Sequence, residues 1–557
     1  MLSFAVFDDA GPARGFVVRH AHVFGPDEVA IPAEITFEDG VIRCRKGSTE
    51  AAGLSLQYRA DLPAEGPAAG RAIGLFTLRT CLLPERDEPY LLTLELARHR
   101  IMLVLNKLEQ WGLFDLPADH AAIARFERAR HRFAEALVAQ RSSNGASAHG
   151  LSLGADRASR DALGLAVDAG EQLTMIQADR QLRQRFTGEL FKQAARQHAD
   201  SIAADRVLPE GAVKSRDGAG VVLQGPPTIG CVINPGQFVE PVTKQAAALC
   251  DFISVPMRWI EMEPVEGRYS FARTDKWIEW AVRTAKLPVW GGPIIDMRHA
   301  CIPEWLYIWE NDYETLRELV YEHVKQVVTR YRRTVQRWTV VSGLHVAEGL
   351  SLSLERVMDL TRVAVLLVRK LQPSARVQVE ITQPWGEYFA GSRRSIPPTV
   401  YAEMIGQAGI AVDALALRLH GGQTPPGRST RDLMALSAIL DRYADFDKPI
   451  VVSGLGVPSR GSEANGTVED PGSWRGGWTP ERQAEWLSRA VAIAASKPFV
   501  HGVCWQDLTD AALPGEAPWC GLLTEAGVPK PAAGRFAEIL KSLQAKKPPH
   551  VPQLAGA

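Results

Sequence analysis

The sequence predicts an α/β protein: a C-terminal (β/α)8 barrel preceded by a small β-sandwich-like domain and a helical segment. Three observations predict it. From residue 228 onward, eight short apolar runs alternate with stretches of helical periodicity. Before residue 84, short apolar runs alternate with turn signals and no helical period is present. Between these two regions the apolar residues recur at i, i+3, i+4 and i+7. A chain of 557 residues is also too long for one ordinary domain but long enough to hold a barrel of about 250 residues or more.

The N-terminal region, 1–83, contains GFVVRHAHVF, AEITFEDGVIRC, GLSLQYRADL and AIGLFTLRT. The Asp39-Gly40 pair between two apolar runs predicts a two-residue hairpin. Residues 84–227 form the helical segment and a linker. EPYLLTLELARHRIMLVLNKLEQWGL and ADHAAIARFERARHRFAEALVAQ are amphipathic, and RDALGLAVDAGEQLTMIQADRQLRQRF begins one long or broken helix. This segment is expected to join the sheet to the barrel and to lie along the barrel's flank. Residues 228–545 are the barrel. Its strand candidates are 228–234, 251–256, 287–295, 337–343, 376–382, 413–420, 448–456 and 499–506. An open doubly wound sheet would need a glycine-rich phosphate loop after its first strand, and CVINPGQF is not one. Residues 546–557 read as a disordered tail.

The balance of 63 Lys and Arg against 64 Asp and Glu gives no electrostatic case for nucleic acid or an anionic membrane surface. No apolar run is long enough to span a bilayer, and the N-terminus MLSFAVFDDAGPARG lacks the basic-then-apolar pattern of a secretory signal. The seven cysteines are scattered and without CxxC spacing, which predicts reduced thiols, no metal site and a cytoplasmic location. No cofactor is expected. Of the 14 tryptophans only Trp111 precedes residue 250, so the barrel half is built differently and could present aromatic faces to a sugar.

Several landmarks then fall in one order. They are MRWIEMEPVEGRYSF (257–271), IPEW (302–305), RWTVV (337–341), DALALRLHGG (413–422), KPIVVSGLGVP (448–458), CWQDLTD (504–510) and VPKPA (528–532). In this order they resemble glycoside hydrolase family 10 over roughly residues 228–540. The family's typical members are retaining endo-1,4-β-xylanases. The resemblance implies an oligosaccharide or glycan ligand. It places substrate-binding groups at Arg258, Trp259, His420 and Trp505, and the predicted strand ends add His345, Trp385 and Arg418.

Retaining hydrolysis needs two carboxyl groups about 5–5.5 Å apart, one as acid/base and one as nucleophile. The positions that match the family's two glutamates hold Gly343 and Gly454. The chain thus reads as a divergent member lacking both. Glu387, beside Trp385 and Tyr388, and Asp507, two residues after Trp505, are the candidates for relocated catalytic carboxylates. Asp296, Arg298, His299, Glu348, Glu380 and Asp510 also fall at predicted strand ends. The loop 458–480, with Trp474 and Trp478, is expected to cover the barrel mouth. Three functions remain open: a carbohydrate-active enzyme with a non-standard site, a carbohydrate-binding pseudoenzyme, and a structural or assembly protein.

Overall fold

The computed structural model describes residues 1–64, 70–142, 151–199, 211–214, 221–350, 352–392, 394–425, 427–511, 513 and 516–554. Eight barrel strands are formed: β1 (Thr228–Val232), β2 (Phe252–Val255), β3 (Val289–Gly291, resuming as Ile295–Asp296), β4 (Val335–Ser342), β5 (Arg376–Ile381), β6 (Ala414–His420), β7 (Ile450–Gly456) and β8 (Val500–Trp505). All neighbours are parallel, and β8 returns to β1 through pairs such as Gly230 with Cys504. The sheet is therefore closed, as the alternation predicted. Its strands are covered by helices outside and side chains inside, which is why they read as apolar runs rather than alternating ones. Every residue of β6 is buried. The third strand is broken where Pro293 removes a ladder donor.

Each strand is followed by a helix, and several helix starts are written in the sequence. Asp312 accepts from Thr315 N–H at the head of Tyr313–Tyr331, and Asp432 accepts from Met434 and Ala435 N–H at the head of Leu433–Ala444. Thr479 caps Pro480–Ser496, where proline at the first helical position needs no donor. In the lower barrel interior Phe252 and Trp290 stack with centroids 3.5 Å apart, fitted against the small side chains of Ala414, Ala416 and Cys504. Large rings pack here because the facing strands are small.

The N-terminal region forms two sheets. One orders Ala33–Glu38, Val41–Lys46, Leu2–Ala5 and Tyr90–Leu91; the other runs through Ala72–Arg79, Gly53–Asp61, His22–Phe24 and Ala30–Ile31. The predicted hairpin is present: Glu38 pairs with Val41, and Asp39 and Gly40 both take positive φ. The second sheet gains a strand from far along the chain, Ser473–Trp474, which pairs with Gly74 and Leu75.

Four helices link sheet and barrel: α1 (Leu92–Gln110), α2 (Ala121–Ser142), α3 (Leu153–Phe186) and α4 (Glu189–Ala199). α3 packs on α1 and α2 and also on the barrel helix Pro480–Ser496, so the helical segment does lie along the flank. Its last turn is tied to the barrel by Arg185, which donates to the carbonyls of Gly225, Ala495, Lys497 and Val500. Buried carboxylates do the same upstream. Glu171 accepts from Trp474 Nε1, Arg475 and Leu433 N–H, and Asp432 pairs with Arg100 of α1 at 2.6 Å. One apolar core consequently runs from Leu2 to Leu554.

Of the expected linker, 206–210 and 215–220 lie outside the described residues; Ala212–Lys214 pairs with Val221–Leu223. The tail departs from expectation. Up to Leu554 it is packed: Val551 and Leu554 are buried, and Gln553 carbonyl accepts from Arg489. Apolar Val and Leu in a proline-rich segment had a barrel helix to cover. No described helix is long and apolar enough to cross a membrane.

Candidate active site

The C-terminal ends of the barrel strands, where barrel active sites assemble, carry a closed cluster of charges. The strand register puts Asp296 beside Ser342, Ser342 beside Glu380, and Arg418 beside Gly454. Arg418 Nε donates to Glu380 Oε1 at 3.0 Å, and its Nη1 donates to both oxygens of Glu516 at 2.9 and 2.8 Å. Arg298 Nε donates to Asp296 Oδ1 at 2.9 Å, and its Nη2 reaches Glu516 Oε1 at 2.8 Å. Ser342 and Ser453 hydroxyls donate to the two oxygens of Glu380 at 2.7 and 2.6 Å, and Gln506 Nε2 donates to Glu516 at 3.2 Å. Glu516, from the loop after β8, bridges the two arginines.

Burial by itself would raise the carboxylates of Asp296 and Glu516. The guanidiniums override it: Arg298 holds Asp296 below the usual carboxylate range, and Arg298 with Arg418 holds Glu516 well below it. The space left among Arg258, Asp296, Arg298, Glu380, Arg418 and Glu516 is about 30 Å³, the share of roughly one water molecule.

The two glycines explain how this cluster fits. Gly343 sits at φ +70°, and a Cβ there would lie 3.3 Å from both Arg298 Cγ and Asp296 Oδ1. A Cβ on Gly454 would lie 2.7 Å from Gln506 Oε1 and 3.2 Å from Arg418 Cγ. The stems of Arg298 and Arg418 pack against the places from which two side chains would otherwise project.

A scan against family models matches residues 222–353 to glycosyl hydrolase family 10. Over these residues the barrel is similar to glycosyl hydrolase family 10. The matched residues include Gly343 and stop short of Gly454. Among curated relatives, Endo-1,4-beta-xylanase B of Thermotoga neapolitana is 22% identical over 256 residues, covering 46% of this chain and 68% of that protein. Endo-1,4-beta-xylanase 2 of Aureobasidium pullulans is 21% identical, covering 36% and 56%. Endo-1,4-beta-xylanase 3 of Hypocrea jecorina is 27% identical, covering 22% and 35%. The alignments thus span between 35% and 68% of these relatives' lengths. Among solved structures, native xylanase 10B from Thermotoga maritima aligns with a TM-score of 0.44 at 19% identity, covering 57% of this chain and 96% of that one. Xylanase B from Clostridium stercorarium F9 gives 0.43 at 14%, covering 56% and 97%.

Against this family-10 frame the expected residues divide sharply. Arg258 and Arg418 line the mouth. Trp259 does not: it is buried on His323 with centroids 4.2 Å apart, its Nε1 donating to Glu263. His345 is also a core residue, stacked on Tyr401, bonded to Thr382 carbonyl and pushed down to about 4 by burial. Trp505 is fully buried, with Nε1 donating to Cys520 carbonyl. Trp385 lies under Arg431 at 4.2 Å and lines, with His420, a small cavity other than the mouth. His420 touches the Gly454 site, and neither of its ring nitrogens has a hydrogen-bond partner among the described residues. Burial and the charges of Arg428 and Arg418 keep it neutral.

The proposed pair Glu387 and Asp507 is not assembled. Glu387 is ion-paired to Arg431 and accepts from Gly427 N–H at 2.8 Å. Its turn, Glu387–Ala390, packs against the N-terminal strands His22–Phe24 and Ala30–Ile31 rather than facing the mouth. Asp507 lies behind Gln506, which donates to it at 3.1 Å, and it does not line the cavity. Burial, then the charge of Glu516, pushes its carboxyl well up. The 458–480 loop does not cover the mouth either. Trp474 and Trp478 are buried, and the loop's end is a strand of the N-terminal sheet.

The residue that sequence reasoning missed is Glu516. It stands alone in LPGEAP, a proline-glycine loop with no pattern to mark it. Arg298, Asp296 and Glu380 were recognisable as strand-end residues, but not as partners.

Proposed function

We propose that the protein is a non-hydrolysing relative of the family-10 glycosidases, a pseudoenzyme of carbohydrate metabolism whose barrel mouth is used structurally. One observation carries this reading: the Arg298–Glu516–Arg418 bridge fills the mouth in front of Gly343 and Gly454. A retaining glycosidase needs a protonatable acid and a free nucleophile facing one sugar. Glu516 is held as an anion by two arginines and cannot serve as the acid. Asp507 does hold its proton more firmly, but it is off the cavity. Ligand pockets commonly enclose about 300–1,000 Å³, and the mouth keeps about 30 Å³. An oligosaccharide, the ligand class that kinship with xylanases suggests, would therefore bind outside this mouth. Seven free cysteines, six of them buried, fit a cytoplasmic protein.

The test is reducing-end release from xylan, xylo-oligosaccharides and aryl glycosides, run beside calorimetric binding of the same oligosaccharides. The expected result is no release above the buffer background. Turnover that disappears in Glu516→Gln or Glu380→Gln would replace this reading with a hydrolase whose carboxylates have moved.

A further inference from the structure

A cavity much larger than the barrel mouth lies elsewhere on the molecule. It lies where the N-terminal sheet, the helix Pro480–Ser496 and the end of the chain meet, and it encloses about 420 Å³. Five arginines line it: Arg71, Arg475, Arg482, Arg489 and Arg535. Glu485 is the one carboxylate in the lining. Ala72, Pro552 and Leu554 give it an apolar wall, with His550 at the rim.

Part of the positive charge here is paired within the chain, Arg482 with Glu485 at 2.7 Å and Arg535 with Glu538 at 3.1 Å. Arg475 is held by Asp168 and Glu171, yet its Nη1 is buried without a hydrogen-bond partner, the side chain being 8% exposed. Arg489 donates to the carbonyls of Glu485 and Gln553, but its Nε is likewise buried and unpartnered. Three guanidiniums crowd one indole: those of Arg475, Arg482 and Arg489 lie 5.8, 5.9 and 5.5 Å from the Trp474 ring. Burial and the charges of Arg475, Arg125 and Arg482 pull Arg71 below its usual value. Buried donors without acceptors are costly, and like charges gathered in a cavity attract a counter-charge. Arginine's planar fork suits the oxygens of a phosphoryl group.

We propose that this cavity is a binding site for a phosphoryl group, carried by a small phosphorylated ligand or by free phosphate. Arg475 and Arg489 supply fixed donors from the floor, while Arg482 and Arg535 close over the anion from the rim. The apolar wall of Ala72, Pro552 and Leu554 meets whatever the phosphate is attached to. The site is independent of the barrel mouth and of whether that mouth hydrolyses anything.

The experiment is isothermal titration calorimetry on the full chain at low ionic strength, with inorganic phosphate, pyrophosphate and glucose 1-phosphate, and sodium chloride at matched ionic strength as control. Arg482→Ala and Arg535→Ala are the variants, since both side chains are partly or largely exposed and their removal leaves the fold intact. The expected result is saturable binding of at least one phosphate compound, weakened tenfold or more in each variant. Tighter binding of glucose 1-phosphate than of inorganic phosphate assigns a phosphorylated small molecule; the reverse assigns free phosphate. Heat no different from the chloride control, or affinity unchanged in both variants, overturns the proposal.

Discussion

Two arginine-rich sites in this protein reach opposite electrostatic solutions. At the barrel mouth Arg298 and Arg418 are saturated by Asp296, Glu380 and Glu516, and about 30 Å³ remains. On the flank five arginines line about 420 Å³ with one carboxylate among them, and two buried N–H groups have no acceptor. The difference teaches that an arginine cluster by itself says little about binding. What matters is whether the chain provides the anions. At the mouth it does, and the charges are closed on one another. On the flank it provides only some: Arg475, Arg482 and Arg535 are ion-paired, yet buried donors of Arg475 and Arg489 lack acceptors, and the proposed phosphoryl group would meet them.

The largest expected effect comes from breaking the mouth cluster. Glu516→Gln leaves two buried guanidiniums short of charge and should cost about 3–5 kcal/mol in urea unfolding at pH 7. A loss below about 1 kcal/mol would mean that the mouth is as open as the flank. The pH dependence has a definite sign. Glu516 is held well below the ordinary 4.5 in the folded chain, so its contribution is present above that value and fades as pH falls through the folded one. The gap between the natural protein and Glu516→Gln should narrow as the medium is acidified.

Next in size is the introduction of a carboxylate at Gly454. Gly454→Glu places a Cβ 2.7 Å from Gln506 Oε1 and a new carboxylate among buried groups. It should lower stability by about 1–3 kcal/mol and release no reducing ends. Measurable hydrolysis would show that the cluster yields to a substrate.

A smaller change of opposite sign is expected nearby. Asp507 is buried, with Oδ2 unpartnered and its carboxyl pushed well up. A raised acid loses stability as pH rises from its unfolded value, so Asp507→Asn should leave the protein as stable or more stable at pH 7, by on the order of 1 kcal/mol. Clear destabilisation at neutral pH would show that the Asp507 charge has a partner in solution. Smallest of all is Arg535→Ala. Its side chain is 60% exposed, so the unfolding midpoint should stay within about 0.5 kcal/mol, while phosphate affinity falls. A shift in the midpoint without a change in affinity would make the flank site structural, like the mouth.

How far the sequence could be read depended on how local each signal was. The β6 run DALALRLH and the Asp39-Gly40 turn carry their structure in adjacent residues, and both formed as expected. Gly343 and Gly454 were legible because each follows a recognisable apolar strand. The aromatic candidates misled for one reason: Trp259, Trp385 and Trp505 sit near strand ends, but which way a ring points there is settled by packing partners. For Trp259 that partner is His323, 64 positions away by residue number. Trp474 illustrates the same limit. Its loop follows β7 and would be placed over the mouth by connectivity, yet it pairs with a strand some 400 residues earlier.

The sequence by itself determined the closed barrel, the N-terminal sheets, the intervening helices and the glycines at the ends of β4 and β7. These follow from apolar periodicity, turn chemistry and the identity of single residues. Only the tertiary structure decided what packs against Gly343 and Gly454 and where buried donors were left without acceptors. Glu516 meets Arg298 across 218 positions and Arg418 across 98, and the flank arginines gather from both ends of the chain. Such pairings follow from the closure of the barrel and the docking of the N-terminal sheet on its flank, and a linear sequence carries no local mark of them.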